Sequence, residues 1–424
     1  MKKIRLQRHL KLNNVLTWIG LFCVVSFALF EHMSISIGAV SQIKMPLLYA
    51  GFFCALTQTK PISRVVLKRN YFFTLLTLML LCALLITTAL VNKDVTLGDS
   101  PLQKTVRLML YLVELFLFMM LQAERGKGQN TINFLFWYLL ALVAVNDVLL
   151  FSRVITFRTG RFESYMVGTK FTVAYMHMDL LTLWAMRSKK SIRSFRFSKW
   201  KVALAAAFII ALSVRIDIMT GILGCIALVV LFVLVESPRG SKLLRLTSPW
   251  MLCLVVITSI ILAFIADSIM QIPFVKYVVE NLLGRDTTIT GRINIYGQYL
   301  ANMEGHWLFG YGYGNANTVS VTMFGYENVQ NAVLQWVLQV GVFATAALLL
   351  LLLQVFRQIP RRKIPNMRRI MPLVALIYMF VVLGTIETTM DMAFILWFAL
   401  IFMLVNERQP AACPPLTSQE AHRR

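Results

Sequence analysis

Residues 71–91 read YFFTLLTLMLLCALLITTALV, with no charge, no proline and no glycine among them. A helix needs about 20 apolar residues to cross the hydrocarbon core of a bilayer, and this run supplies them. A membrane-spanning strand would be half as long and would alternate in polarity, which this run does not do. Stretches of the same character recur at 131–151 (TINFLFWYLLALVAVNDVLLF), 217–236 and 333–356. Over the 424 residues the hydrophobic fraction is 58% and the mean hydropathy +0.70. In lipid only helices satisfy their backbone groups within one segment. The expected fold is therefore an all-α polytopic membrane protein, a single integral membrane domain over 1–424.

The pattern predicts about twelve transmembrane helices, near 15–33, 44–59, 71–91, 105–122, 131–151, 167–186, 202–216, 217–235, 250–268, 329–356, 370–386 and 393–406. A formal charge of +23 would suit a nucleic-acid partner, but its placement points elsewhere. With the N-terminus inside, the inner segments hold 30 of the 42 Lys and Arg residues. This is the positive-inside asymmetry of a multi-pass protein of the cytoplasmic (inner) membrane, and it excludes nucleic acid as the reason for the charge. Both termini are expected in the cytoplasm, including the tail 407–424, and the basic inner loops can meet anionic membrane lipids. The first span follows the basic stretch MKKIRLQRHLKLNN and reads as an uncleaved signal anchor. Five cysteines (23, 54, 82, 225 and 253) fall in apolar spans and Cys413 in the tail, with no metal-ligand spacing.

One inter-span segment stands apart in length. Residues 269–328 are expected to form a large, partly helical extracytoplasmic loop. Within it, PFVKYVVENLL puts Phe274, Tyr277, Val278 and Leu282 on one helical face, ended by Gly284. Thr290 can cap a second helix, 291–303, with Ile293, Tyr296 and Leu300 on its apolar face. Arg292 then lies in the first turn, where backbone N–H groups already favour an anion. After Gly305, the stretch LFGYGYGN alternates tyrosine with glycine and reads as an irregular turn of close backbone approach.

Ionisable residues at span ends add a second signal, because such residues are expensive near lipid and default to function. Lys170, Arg215, Arg285 and Arg292 come from three segments, all predicted at the outer face. Taken singly, Lys170 can be a snorkelling lysine, and Arg215 with Asp217 a pair closing a hairpin. Together they form a cationic cluster suited to phosphate oxygens, which arginine forks bind bidentately. Asp147, Glu387 and Asp391 also lie near outer ends; Glu114 and Asp179 lie deeper, and no role for either follows from the sequence.

The stretches TGRINIYGQYLANMEGHWLFGYGYGN and ENVQNAVLQWVLQVGV resemble the bacterial O-antigen and capsular polysaccharide polymerase (Wzy) and O-antigen ligase superfamily. The family pattern is an arginine opening a helix, an aromatic four residues on, lFGyGxG, then HNxxLQxxxxxG at the next span. Arg292, Tyr296, Leu308 to Gly312, Gly314, Asn331, Leu334, Gln335 and Gly341 fall on it. Two further segments fit, Gly168-x-Lys170-Phe171 with Tyr175, and Arg215 ahead of Thr220-Gly221. The likeness covers the second half of the chain best. Where many members have histidine before Asn331, this chain has Gln330, which cannot act as a base and favours the polymerase branch.

The resemblance implies a GT-C-like fold and a metal-independent glycosyltransferase without cofactor. It would join polyprenyl-diphosphate-linked oligosaccharide repeat units of a capsule, exopolysaccharide or O-antigen, beside other polysaccharide-assembly proteins. Transfer to another acceptor, as in a ligase, is the alternative; a lipid-linked oligosaccharide flippase is less well matched, since most charges sit at span ends. On this reading Arg292 and Arg215 stabilise the leaving diphosphate and Glu327 activates the acceptor hydroxyl, with His306, Asp286 and Asp217 as other base candidates. Lys170, Arg285, Tyr296, Tyr311, Tyr313, Gln330 and Asn331 complete the substrate-binding set. Trp307 can stack on sugar or sit as an interfacial aromatic.

Overall fold

The computed structural model describes residues 2–94, 100–152, 157–159, 162–187, 199–236, 244–277, 280–281, 292–359 and 367–408. The chain is almost wholly helical. Its helices are α1 (Lys2–Ser36), α2 (Gly38–Leu56), α3 (Thr59–Val66), α4 (Arg69–Val91), α5 (Pro101–Glu124), α6 (Gly128–Ser152), α7 (Lys170–Arg187) and α8 (Lys199–Arg215). They continue with α9 (Met219–Glu236), α10 (Pro249–Met270), the short α11 (Pro273–Tyr277), α12 (Arg292–Asn302), α13 (Ala316–Phe324), α14 (Ala332–Gln358), α15 (Met367–Leu383) and α16 (Met392–Val405). Among the described residues, seven helices are long and apolar enough to cross a membrane: α2, α5, α6, α10 and α14, together with Leu12–Ser34 of α1 and Tyr71–Val91 of α4. Shorter apolar helices cover Met219–Leu234, Arg369–Leu383 and Met392–Val405.

Contacts sort the helix ends into two sets. At one end, Asn92 donates to the Phe309 carbonyl at 3.2 Å and Lys104 to the Gly314 carbonyl at 3.2 Å. The Lys170–Asp217, His32–Asp391 and Arg292–Glu387 contacts belong to the same end. At the other end, Arg125 donates to Thr17 at 2.6 Å, and Glu407 accepts from the Gly128 N–H at 2.7 Å. Asn406 there donates to Gln358 at 3.0 Å, and Lys68 pairs with Glu124. The main apolar core lies between, with α16 buried along its whole length.

A small antiparallel sheet precedes α7, with β1 (Phe157–Thr159) on β2 (Phe162–Tyr165) and β2 on β3 (Gly168–Thr169). The span expected over 167–186 thus begins in β3 and becomes helical only at Lys170. The effect of the sheet is to deliver Lys170 as the first residue of α7.

The helices between α10 and α14 have a core of their own. Ile295, Tyr296, Tyr299 and Met303 pack with Val319 and Phe324 onto Ala263, Ala266, Leu334 and Leu338. The buried face of α12 is rotated from the expected one, for Leu300 is 53% exposed while Tyr299 is fully buried. The Tyr299 hydroxyl donates to the Leu334 carbonyl at 2.8 Å, which commits its ring to the interior. Phe274 and Tyr277 are exposed on α11, as suits contact with lipid headgroups. Gly284, Thr290, Val278 and Leu282 lie outside the described residues.

Candidate functional site

Helix α14 is not continuous. Gly341 has φ 75° and ψ 176°, which interrupts the hydrogen-bond ladder of what reads as one span. The freed groups find partners in the Tyr/Gly turn and in α4. Tyr311 N–H donates to the Leu338 carbonyl at 2.9 Å, and Val342 N–H to the Trp307 carbonyl at 2.8 Å. Thr88 donates to the Val340 carbonyl at 3.1 Å. Both chains must be bare here. A Cβ on Gly341 would stand 2.1 Å from the Leu308 oxygen, and one on Gly310 2.7 Å from backbone atoms of α14. The close approach foreseen for this turn is thus made to protein backbone.

The start of α14 is fixed by its own cap. Asn331 is fully buried, and its Oδ1 accepts from the backbone N–H groups of Val333 and Leu334 at 3.1 and 3.0 Å. Its Nδ2 donates towards the Thr385 carbonyl at 3.3 Å and that of Ser259 at 3.4 Å. These contacts use the capacity of its amide, so Asn331 builds the scaffold and offers no atom to a substrate. Gln330 has φ 56°, a left-handed conformation, and its side chain donates to Asn328 at 2.8 Å. The Tyr296 hydroxyl donates to the Gln330 carbonyl at 2.8 Å and to that of Thr385 at 3.2 Å. Tyr296 therefore also holds backbone in place, and burial raises its pKa.

The first turn of α12 carries the central polar contact. Arg292 donates through Nε to the Ile386 carbonyl at 2.8 Å and through Nη2 to Glu387 Oε1 at 2.5 Å. Both side chains are largely buried, 12% and 6% exposed. Burial pushes the Glu387 carboxyl up to about 7, against the opposing pull of Arg292 and Lys170. Lys170 itself donates to the Asp217 carbonyl at 2.9 Å, and Asp217 has φ 50° in the α8–α9 turn. Arg215, at the end of α8, is exposed two residues away. Lys170 is thereby tied to the Asp217 turn and acts electrostatically on Glu387, the partner of Arg292, while Arg215 joins them only by its place beside that turn. Arg285 lies outside the described residues.

The remaining expectations divide. Tyr311 stacks on His306 with ring centroids 3.9 Å apart, and its hydroxyl donates to the Asn302 carbonyl at 2.5 Å. Trp307 packs edge-on against Tyr299, in the small core under the loop. Tyr313 stacks on Trp336 and lines a cavity of about 200 Å³. Glu327 is exposed, with no hydrogen bond or ion pair to a described residue. Glu114 lines a separate apolar cavity of about 400 Å³ between α2, α3 and α5, remote in the fold from this cluster.

Two partners carry no motif that sequence spacing could reveal. Glu387 and Asp391 stood out only as carboxylates of the last outer loop, and nothing assigned them to Arg292 and His32. His32 gives one weak signal, an ionisable residue at the end of an apolar span. Compared with models of known protein families and with curated proteins, the chain matches none.

Proposed function

We propose that this chain is a polysaccharide polymerase of the outer face of the cytoplasmic membrane, joining polyprenyl-diphosphate-linked oligosaccharide repeat units. The observation that carries the reading is the linkage of Lys170, Arg292 and the Arg215–Asp217 turn at one end of the helices. A pair of adjacent phosphates is the ligand that such a cluster suits best, because several fixed cations then share one spread charge. The same groups would stabilise the charge that grows on the diphosphate as the glycosidic bond breaks. Arg292 and Arg215 act on the leaving diphosphate and Lys170 helps to bind it, while Tyr313 offers a ring face to sugar.

The twelve-span topology belongs to the same reading, with α1, α2, α4 to α10 and α14 to α16 as spans. Its support is that every cross-helix polar contact described above joins ends that alternate passage puts on one side. Orientation rests on the excess of basic residues at the opposite end. The loop containing α12 and α13 would then face outward.

The test is deletion of the gene followed by complementation with Arg292→Ala and Arg215→Ala. Single lipid-linked repeats without long chains are expected in both variants. Polymer of normal length in both would remove the diphosphate site. Free, unattached polymer on deletion would mark a ligase instead.

A further inference from the structure

Among the base candidates, Gln330 cannot serve, Glu327 and Asp217 are exposed, His306 is stacked on Tyr311, and Asp286 lies outside the described residues. The cavity beside the cationic cluster offers another. Its lining includes His32, Asp391, Tyr313, Trp336, Gln339 and Glu31, the last paired with Lys44, and its volume is about 200 Å³. His32 Nε2 lies 2.8 Å from Asp391 Oδ2. The other oxygen, Oδ1, accepts the Phe394 N–H at 2.9 Å and so caps α16. An aspartate held by a helix start is a fixed acceptor. It keeps the imidazole proton on Nε2 and leaves the Nδ1 lone pair available. Nδ1 has no hydrogen bond to a described residue.

The backbone that carries the ring is closely packed as well. Gly168, with φ 123°, lies so close that a Cβ there would stand 2.8 Å from His32 Cβ. Gly168 is two residues before Lys170, and the loop 384–391 carries both Glu387 and Asp391. The imidazole and Arg292 thus each bind a carboxylate of the same loop, His32 through Asp391 and Arg292 through Glu387.

We propose that the cavity receives the sugar hydroxyl of the acceptor, and that His32 is the base which takes its proton, positioned by Asp391. This rests on the polymerase reading above. The acceptor oxygen forms the new bond to the anomeric carbon as its proton passes to His32 Nδ1. The bond from that carbon to the diphosphate oxygen breaks, and its electron pair leaves on the lipid diphosphate beside Arg292 and Lys170. The imidazolium then releases the proton to water. Trp336 donates to the Met390 carbonyl at 2.7 Å, so its ring is fixed as a wall for the sugar.

The experiment uses the full chain in vesicles with lipid-linked repeat units, measuring chain elongation. His32→Gln keeps an N–H for Asp391 but has no basic lone pair. It is expected to lower kcat about 100-fold or more, with KM and thermal midpoint unchanged. Elongation at the wild-type rate would overturn the base, and so would a loss confined to KM or stability. Should this variant fail to fold, the wild-type chain is treated with diethyl pyrocarbonate and the modified histidines are mapped. Inactivation that follows His32 modification is expected; full activity with His32 modified would overturn the proposal. Wild-type protein that makes no polymer would instead overturn the polymerase reading.

Discussion

On the proposed reading Arg292 holds an external anion more weakly while Glu387 is ionised, because the carboxylate already neutralises the same guanidinium. The sign of the pH effect follows from the carboxyl, which titrates near 7. Below that value Glu387 is protonated and uncharged; above it the carboxylate competes with the ligand. Affinity for inorganic pyrophosphate, measured by calorimetry, should therefore rise as pH falls through about 7. In Glu387→Gln that rise should vanish, and binding at alkaline pH should strengthen. Arg292→Ala leaves a buried carboxyl without its donor, yet one able to take up a proton. Its expected cost is roughly 1–3 kcal/mol of stability, read as a lower thermal midpoint in detergent. Adding Glu387→Gln should recover much of that loss and none of the polymer, which separates folding from function.

The break in α14 is the feature at element scale with the sharpest consequence. An alanine at Gly341 would pay about 1–3 kcal/mol for its backbone conformation alone. It would also meet the Leu308 carbonyl, which is backbone and cannot swing aside. Gly341→Ala should therefore lower the thermal midpoint well below wild type and detach the Tyr/Gly turn. Gly297 in α12 makes the opposite case, with open space around its Cβ position and no positive φ. Gly297→Ala should stabilise by about 0.5–1 kcal/mol, seen as a raised midpoint. The motif resemblance covers both halves of this joint, Gly310 and Gly341, without revealing that they touch.

At the scale of the whole molecule, the claim to test is which end faces out. Glu327 is exposed near the start of α14, and a cysteine there should react with a membrane-impermeant maleimide on intact cells. Labelling only after lysis would invert the topology. Cys23, Cys54, Cys82 and Cys225 are buried, and Cys253 and Cys413 are replaced by serine to remove background. The short α11 and its exposed Phe274 and Tyr277 fit a seat at the same interface.

By itself the sequence determined that the chain is helical and built for a bilayer, because backbone groups in lipid allow little else over runs such as 71–91. It also determined that Arg292 opens a helix and that the Tyr/Gly turn makes a close approach, since capping and glycine signals are local. The partners were decided only by tertiary structure. Periodicity could not tell Tyr299 from Leu300 as the inward residue, because both sit near the edge of one apolar stripe. Asn331 and Tyr296 matched a functional pattern, yet their polar atoms are spent on backbone. His32 and Asp391 stand 359 residues apart in the chain, and only packing of α1 against α16 makes them a pair.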